Sequence, residues 1–243
     1  MNRNPLLRRF LQLREAIYKR YSQLHHVEFL EGPNILVLSP HPDDDVFGCG
    51  GTIILHLAQG HRVSIAYLTD GGRGIAGKNA VQTSAIRRQE AFCAAEILGI
   101  GKGDLYFMGQ PDGQLSVTPA NIKWLRDLLQ RLCPDLIYLP SIVDNHPDHY
   151  QTNLLLKSAL EQPVLLAAYE IWTPFIPNRL VDITTVMAQK QAAMQAHQSQ
   201  LAALDYASAI MGLNSYRGRM YAKKPMEYAE AFLVVESSEY PWG

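Results

Sequence analysis

The sequence predicts an α/β fold, a mostly parallel sheet in three layers with helices on both faces. Three observations predict it. Continuous apolar runs of strand length recur along the chain, stretches with helical spacing separate them, and the two loops richest in ionisable side chains follow the first and the fourth run. Fully apolar strands alternating with helices signal a sheet buried on both sides.

Taken in order, Leu6, Phe10, Leu13, Ile17, Tyr21 and Leu24 step by threes and fours, the period of an amphipathic helix. Arg3, Arg8, Arg9, Arg14, Lys19 and Arg20 stand against a lone Glu15 there, a local balance of +5 over residues 1–26. Residues 1–31 therefore read as an N-terminal helical extension. Its basic face can pack on its own domain, meet a sister subunit in a homo-oligomer, lie on a membrane surface or serve as a flexible arm. Glu31-Gly32-Pro33-Asn34 punctuates the chain. Strand-like runs follow at 35–39 (ILVLS), 62–68 (RVSIAYL), 104–107 (DLYF) and 135–140 (DLIYLP), with helical stretches at 46–59, 83–98 and 119–132. PVLLAAYEIW (163–172) and AFLVV (231–235) supply further strands, with a long helix at 184–204 and a polar, glycine-containing segment at 212–225 between them. No repeat or linker divides residues 32–243, which read as one domain. The strand order 3-2-1-4-5 sets the first strand beside the fourth and opens a crevice at their carboxyl ends.

Composition excludes several function classes. A chain of 243 residues, 47% hydrophobic and 19% charged, is ordinary for a globular protein, and a formal net charge of −1 supplies no field for nucleic acid. Cys49, Cys93 and Cys133 lie far apart without a CxxC, so neither a disulfide scaffold nor a thiolate zinc site is expected, and a reducing, cytoplasmic compartment fits. Cys93 and Cys133 read as small buried apolar groups. No apolar run approaches the ~18 residues of a membrane span. The N-terminal stretch has arginines but no continuous apolar segment, so it does not read as a secretory leader.

The loop after the first strand reads HPDDD (41–45) and the loop after the fourth reads SIVDNHPDHY (141–150). Three adjacent carboxylates repel one another and resist burial unless a solvated turn or a cation accommodates them. His41, Asp44 and His149, drawn from both loops, make a two-histidine, one-carboxylate set of the kind that holds catalytic zinc with a position left open, and the same set suits Fe2+. One acid then binds metal, one moves protons, and the third faces solvent.

HPDDD with the following GCGGT, and HPDH about a hundred residues later, resemble the LmbE/PIG-L family of metal-dependent N-deacetylases. LTDGGRG at 68–74, the Arg87/Glu90 pair, PDG at 111–113, HQSQ at 197–200 and YAEAF at 228–232 extend the resemblance from about residue 34 to 235. It implies a Rossmann-like fold and removal of acetyl groups from N-acetylglucosamine-type substrates, usually with zinc. By position it implies His41, Asp44 and His149 as metal ligands and Asp43 as general base. It further implies a protonated His146 beside the developing oxyanion, oriented by Asp148. Arg87 and Asp112 fall on the family's substrate-binding positions. The chain has Asp45 where the family usually has Glu.

Several of these residues carry other readings. Arg87 and Glu90 can form an i,i+3 ion pair on their helix, or Glu90 can support the crevice. Arg73 can contact substrate or solvent. Asp112 in Pro-Asp-Gly is also good turn chemistry. His197 can be a core histidine or can back the crevice. Beyond acetyl removal, the same machinery can cleave a larger amide conjugate. A phosphoesterase is disfavoured by the single ligand set, and a non-catalytic sugar- or nucleotide-binding module does not need Asp43.

Overall fold

The computed structural model describes residues 24–27, 30, 32–73, 75–221 and 226–242. The strands are β1 (His25–Val27), β2 (Asn34–Ser39), β3 (Arg62–Thr69), β4 (Leu105–Gln110), β5 (Leu136–Pro140), β6 (Leu165–Tyr169), β7 (Arg179–Asp182) and β8 (Ala229–Glu236). The helices are α1 (Asp44–Ala58), α2 (Ala80–Leu98), α3 (Pro119–Leu132), α4 (Pro147–Ala159), α5 (Met187–Gln195), α6 (Gln198–Leu201) and α7 (Tyr206–Tyr221). All eight strands share one sheet in the order β1-β7-β8-β6-β5-β2-β3-β4. Its section β4-β3-β2-β5-β6 is parallel throughout and is the expected 3-2-1-4-5 order. β8 runs antiparallel between β6 and β7.

Alternation along the strands divides the core into two. Ile35, Val37, Ile65 and Tyr138 face α1, α2, α5 and α7, whereas Leu36, Leu38, Leu68 and Ile137 face α3 and α4. Local signals fix the helix ends. Asn79 and Gln82 form a reciprocal capping box at the start of α2, and Gly99 ends that helix in the left-handed region. Thr118 caps α3 ahead of Pro119.

Four sequence expectations are corrected. The 184–204 helix is broken: α5 ends at Gln195, His197 leaves helical geometry (φ −83°, ψ 52°), and α6 restarts the chain. The cause is Glu90, which takes the Ser199 backbone N–H (2.8 Å) and hydroxyl (2.6 Å) and so replaces the intrahelical partner of that amide. The segment at 212–225 is helical as far as Tyr221, because Ala207, Ile210, Asn214 and Arg217 recur with helical spacing and are buried. Gly218 is needed there, since a Cβ would meet the Glu227 backbone at 2.8 Å. Cys93 and Cys133 are exposed rather than buried. Finally, His25–Val27 form a strand on β7, and Leu30 is buried in the core, so the end of the expected extension belongs to the sheet. The helix expected over 6–24 otherwise lies outside the described residues. Among the described residues, no helix is long and apolar enough to cross a membrane.

α1 carries the site and has an internal break at Cys49 (φ −144°, ψ 20°). A break frees backbone groups on both sides of it. Glu230 on β8 accepts the Gly51 and Thr52 amides, each at 2.8 Å, and the Thr52 hydroxyl at 2.5 Å. Lys190 on α5 donates to the Phe47 carbonyl at 3.1 Å, to Asn214 Oδ1 at 2.9 Å and to Glu230 Oε1 at 2.7 Å. This fully buried pair therefore caps both halves of the helix, which explains why the GCGGT and YAEAF stretches occur together.

Removing one partner leaves the other charge buried and unpaired. Lys190→Met is expected to lower stability by about 3–5 kcal/mol in urea unfolding. Combining it with Glu230→Gln is expected to recover part of that loss. A Lys190→Met protein with the wild-type unfolding midpoint would show that the pair does not hold the break.

Candidate active site

β2 ends at Ser39, and the chain turns through His41 and Asp43 into α1 while the parallel β5 ends at Pro140 beside it. The two acid- and histidine-rich loops thus meet at the carboxyl edge of the sheet, where the connections diverge to opposite sides. A cleft of about 590 Å³ opens above them.

At its floor, Asp44 Oδ2 lies 3.0 Å from His41 Nδ1 and 3.2 Å from His149 Nε2. Each imidazole has a further carboxylate at its other nitrogen. His41 Nε2 is 3.1 Å from Asp148 Oδ2 and 3.4 Å from Asp112 Oδ1. His149 Nδ1 is 3.2 Å from Asp144 Oδ1. A histidine that binds a metal through one nitrogen typically donates its other N–H to such a carboxylate. His149 is fully buried, yet neither of its ring nitrogens makes a well-aligned hydrogen bond within the protein. Buried imidazole nitrogens in this condition are suited to a cation. In tetrahedral zinc sites, bonds of 2.0–2.1 Å put neighbouring ligand atoms roughly 3.3 Å apart, close to the spacings around Asp44 Oδ2. Among the described residues, two sets of three have ligand atoms that all lie within 4.8 Å of one another, His41 with His146 and His149, and His41 with Asp112 and Asp148; Asp44 is in neither and meets the two histidines pairwise.

The electrostatics follow from this crowding. Burial would raise the Asp44 carboxyl, but His149 and His41 hold it well below the usual range. Burial pulls His149 down, and Asp44 and Asp144 outweigh it and lift the ring to about 9. His41 is likewise lifted well above its ordinary value, as Asp44, Asp112 and Asp148 overcome the effect of burial. Asp43, also at the floor, is pushed up by burial, while the Arg87 guanidinium 3.1 Å away opposes that rise.

Arg87 is itself buried and binds the Gly71 carbonyl at 3.2 Å, with Asp112 Oδ2 at 3.7 Å. Its partner is therefore Asp43 rather than Glu90, which is committed to Ser199. Burial raises the Asp112 carboxyl, and the His41 hydrogen bond and charge, the Arg73 amide and Arg87 bring it down to about 2. Arg73 is exposed at the cleft wall and donates its amide to Asp112 at 3.1 Å. His197 is buried below Phe47, with ring centroids 6.1 Å apart, and burial drives it down to about 3, a neutral core imidazole.

Two site expectations change. Asp148 does not hold the His146 ring. Its carboxylate accepts the amides of Gly113 (2.7 Å) and Leu115 (3.1 Å) and contacts His41, so it ties the PDG loop to the HPDDD loop. His146 instead caps α4, its Nδ1 accepting the Asp148 amide at 3.2 Å. An accepting nitrogen carries no proton, which leaves the proton on Nε2. Burial, His41 and His149 lower this ring's pKa, which favours that neutral tautomer over the imidazolium. Asp45 does not face solvent. It is fully buried, hydrogen-bonds Ser39 and the Tyr67 hydroxyl, and is pushed up to about 7 by burial.

Sequence reasoning missed Asp144. Its Oδ1 faces His149 and accepts the His146 amide at 3.0 Å, and its Oδ2 accepts the Trp172 amide at 3.0 Å. Its place two residues before His146 was the available signal. Glu170 was also missed; it pairs with buried Arg217 and accepts the Phe175 amide at 2.8 Å, fixing the loop after β6.

Comparison with known proteins places these features. The family model described as PIG-L, GlcNAc-PI de-N-acetylase, matches residues 36–160. Diacetylchitobiose deacetylase of Thermococcus kodakarensis is 29% identical over 193 residues, 71% of this chain and 72% of its own length. The 4-oxalmesaconate hydratase of Pseudomonas putida is 26% identical over 227 residues, 77% of this chain and 86% of its own. The structure of N,N'-diacetylchitobiose deacetylase from Pyrococcus horikoshii superposes with a TM-score of 0.75 at 25% identity, covering 96% of this chain and 94% of that one.

Asp144→Asn keeps the shape but loses the carboxylate behind His149, and Zn2+ affinity is expected to fall roughly 10–100-fold in chelator competition. Wild-type affinity in that variant would remove Asp144 from the site. Because the metal-free histidines hold protons up to a pKa of about 9 at His149, metal uptake at pH 7 should release protons into a weakly buffered solution. Apparent affinity should accordingly rise with pH toward that value. A pH-independent affinity between pH 6 and about 9 would contradict the proton competition.

Proposed function

The chain belongs to the PIG-L family of metal-dependent hydrolases, and from that membership we propose that it removes the acetyl group from an N-acetylglucosamine-containing small molecule or glycoconjugate. The observation that carries the reading is the meeting of His41 and His149 on one oxygen of Asp44, with Asp43 next to it on the floor of an open cleft. His41, Asp44 and His149 would hold a divalent cation, Zn2+ or a similar metal such as Fe2+. His146 is the weaker fourth candidate, since its Nδ1 already serves the α4 amide. A cation in this position supplies Lewis acidity toward the acetamide carbonyl and lowers the pKa of water.

The protein's own groups account for the proton movements. Asp43 takes a proton from the attacking water as the C–O bond forms, held in place by Arg87 at 3.1 Å. The neutral His146 ring donates its Nε2–H to the developing oxyanion. Asp43 then returns its proton to the departing nitrogen as the C–N bond breaks, since an amine anion is a poor leaving group. Acetate and a free amine result. Asp148 acts by holding His41 and the PDG loop, and Asp112 and Arg73 form the wall where sugar hydroxyls bind. The free thiols fit a cytoplasmic setting.

Asp43→Asn is expected to retain bound metal and lose acetate and amine release by roughly 10²–10⁴-fold, whereas His149→Ala should lose the metal itself. Because one relative is named a hydratase, the assay follows acetate and amine, which hydration does not produce. Equal acetate release by wild type and Asp43→Asn would overturn the assignment.

A further inference from the structure

The cleft has two chemically different walls. Loops after β2, β3, β4 and β5 contribute His41, Asp43, Arg73, Asp112 and His146 to its charged side, and α2 contributes Arg87. The loop after β6, the α6–α7 connection and the first turns of α7 contribute the other, with Ile171, Trp172, Leu204, Tyr206 and Ile210. Among the described residues, no charged residue lines this second wall. Trp172 is 45% exposed and Leu204 54% exposed, so large apolar surface is left facing the cleft opening.

This wall is held in place. The Trp172 amide is bonded to Asp144, which also faces His149. Two residues earlier Glu170 pairs with Arg217 of α7, and Arg217 also donates to the Phe175 carbonyl at 2.7 Å. Tyr206 opens α7 and meets Trp172 edge to face, with ring centroids 5.3 Å apart at 88°. Rigid, exposed aromatic rings beside a polar reaction centre are a ligand surface rather than unfinished core. The cleft volume of about 590 Å³ lies within the range of about 300–1,000 Å³ that holds drug-sized ligands, more than one sugar ring requires.

We propose that Trp172 and Tyr206 form a subsite for the group attached to the N-acetylglucosamine ring, and that this group is an uncharged second pyranose. The inference rests on the deacetylase reading for the position of the reacting ring. A pyranose presents an axial C–H face that packs on an indole or phenol ring and an equatorial rim of hydroxyls that stays hydrated. A carboxylate- or phosphate-bearing group has no cation to meet among the described residues of this wall and would be desolvated there without compensation. Trp172 thereby selects among substrates.

The test measures binding and turnover separately with the metal-loaded, full-length protein. Ligands are N-acetylglucosamine, N,N'-diacetylchitobiose and an N-acetylglucosamine glycoside with a carboxylate in its aglycone. Titration calorimetry on Asp43→Asn reads affinity, and acetate release by wild type reads kcat/KM. The disaccharide is expected to exceed the monosaccharide by about tenfold in both, and the carboxylate glycoside to show no advantage. Trp172→Ala should reduce the disaccharide advantage to within about twofold, and Trp172→Phe should restore most of it. Equal values for mono- and disaccharide, an advantage that survives Trp172→Ala, or preference for the carboxylate glycoside would each overturn the subsite. Preferential disaccharide binding that depends on Trp172, with no acetate released from any ligand, would support the subsite and overturn the deacetylase reading instead.

Discussion

The site depends on one buried charge, the Asp44 carboxylate shared between two imidazoles at the carboxyl edge of β2. Burying an unpaired carboxylate costs several kcal/mol even after relaxation, so the surroundings must return that interaction. They do so in pairs. His41 and His149 face Asp44, and each has a further acid behind it, Asp148 with Asp112 for the first and Asp144 for the second. The acids are held in turn: Asp148 by two amides of the 113–115 loop, Asp144 by the amides of His146 and Trp172. A single charge at the floor thereby fixes four loops. The same arrangement fits a bound cation, which would take the place of the protons that the carboxylates hold on both histidines.

The architecture supports that charge from the far side as well. α1 begins at Asp44 and breaks at Cys49, so the turn that carries Asp44 is a short piece with its own end to satisfy. Lys190 takes the carbonyl of Phe47 and Glu230 takes the amides of Gly51 and Thr52. Gly48 lets this turn lie against the Tyr169 ring, which a Cβ would overlap, and the Tyr169 hydroxyl reaches the Leu38 carbonyl at 2.8 Å. The packing thus joins β2, β6, β8 and α5 around one turn. That clamp is structural: it orders the backbone on which Asp43 and Asp44 stand and touches neither side chain.

The central fold was legible because its strands are continuous apolar runs whose identity survives without tertiary context. The meeting of the two acid loops followed from strand order alone. The remainder depended on contacts that period and propensity do not encode. β1 and β7 are three and four residues long, too short to show a pattern. α7 buries Asn214 and Arg217, so its inward face reads as polar in the sequence. The break between α5 and α6 is made by Glu90, about a hundred residues earlier. Within the site, residue types were readable but partners were not. Arg87 turned from Glu90 to Asp43, Asp148 from His146 to His41, and Asp45 inward to Ser39 and Tyr67. Each change pairs a buried charge or dipole with the group that satisfies it best, which is a property of the assembled loops.

The two-sided cleft follows from the same topology. Parallel strands bring every loop of the β4-β3-β2-β5-β6 section to one edge, and the first four of the strands in that order end in polar turns that can reach the floor. β6 borders the antiparallel β8, so the chain leaving it must travel back to β7 and then through α5 and α6 before α7 covers the core. That route passes over the cleft with apolar side chains already needed to close the α1 face of the sheet. The outermost of them, Trp172 and Leu204, remain partly exposed. The floor is therefore built by loops that answer to Asp44, while the rim is built by a segment that answers to the core. Asp144, which faces His149 and accepts the Trp172 amide, spans the two. A substrate group resting on Trp172, as proposed, would be held in register with the histidine below it, which would let a second ring improve positioning as well as affinity.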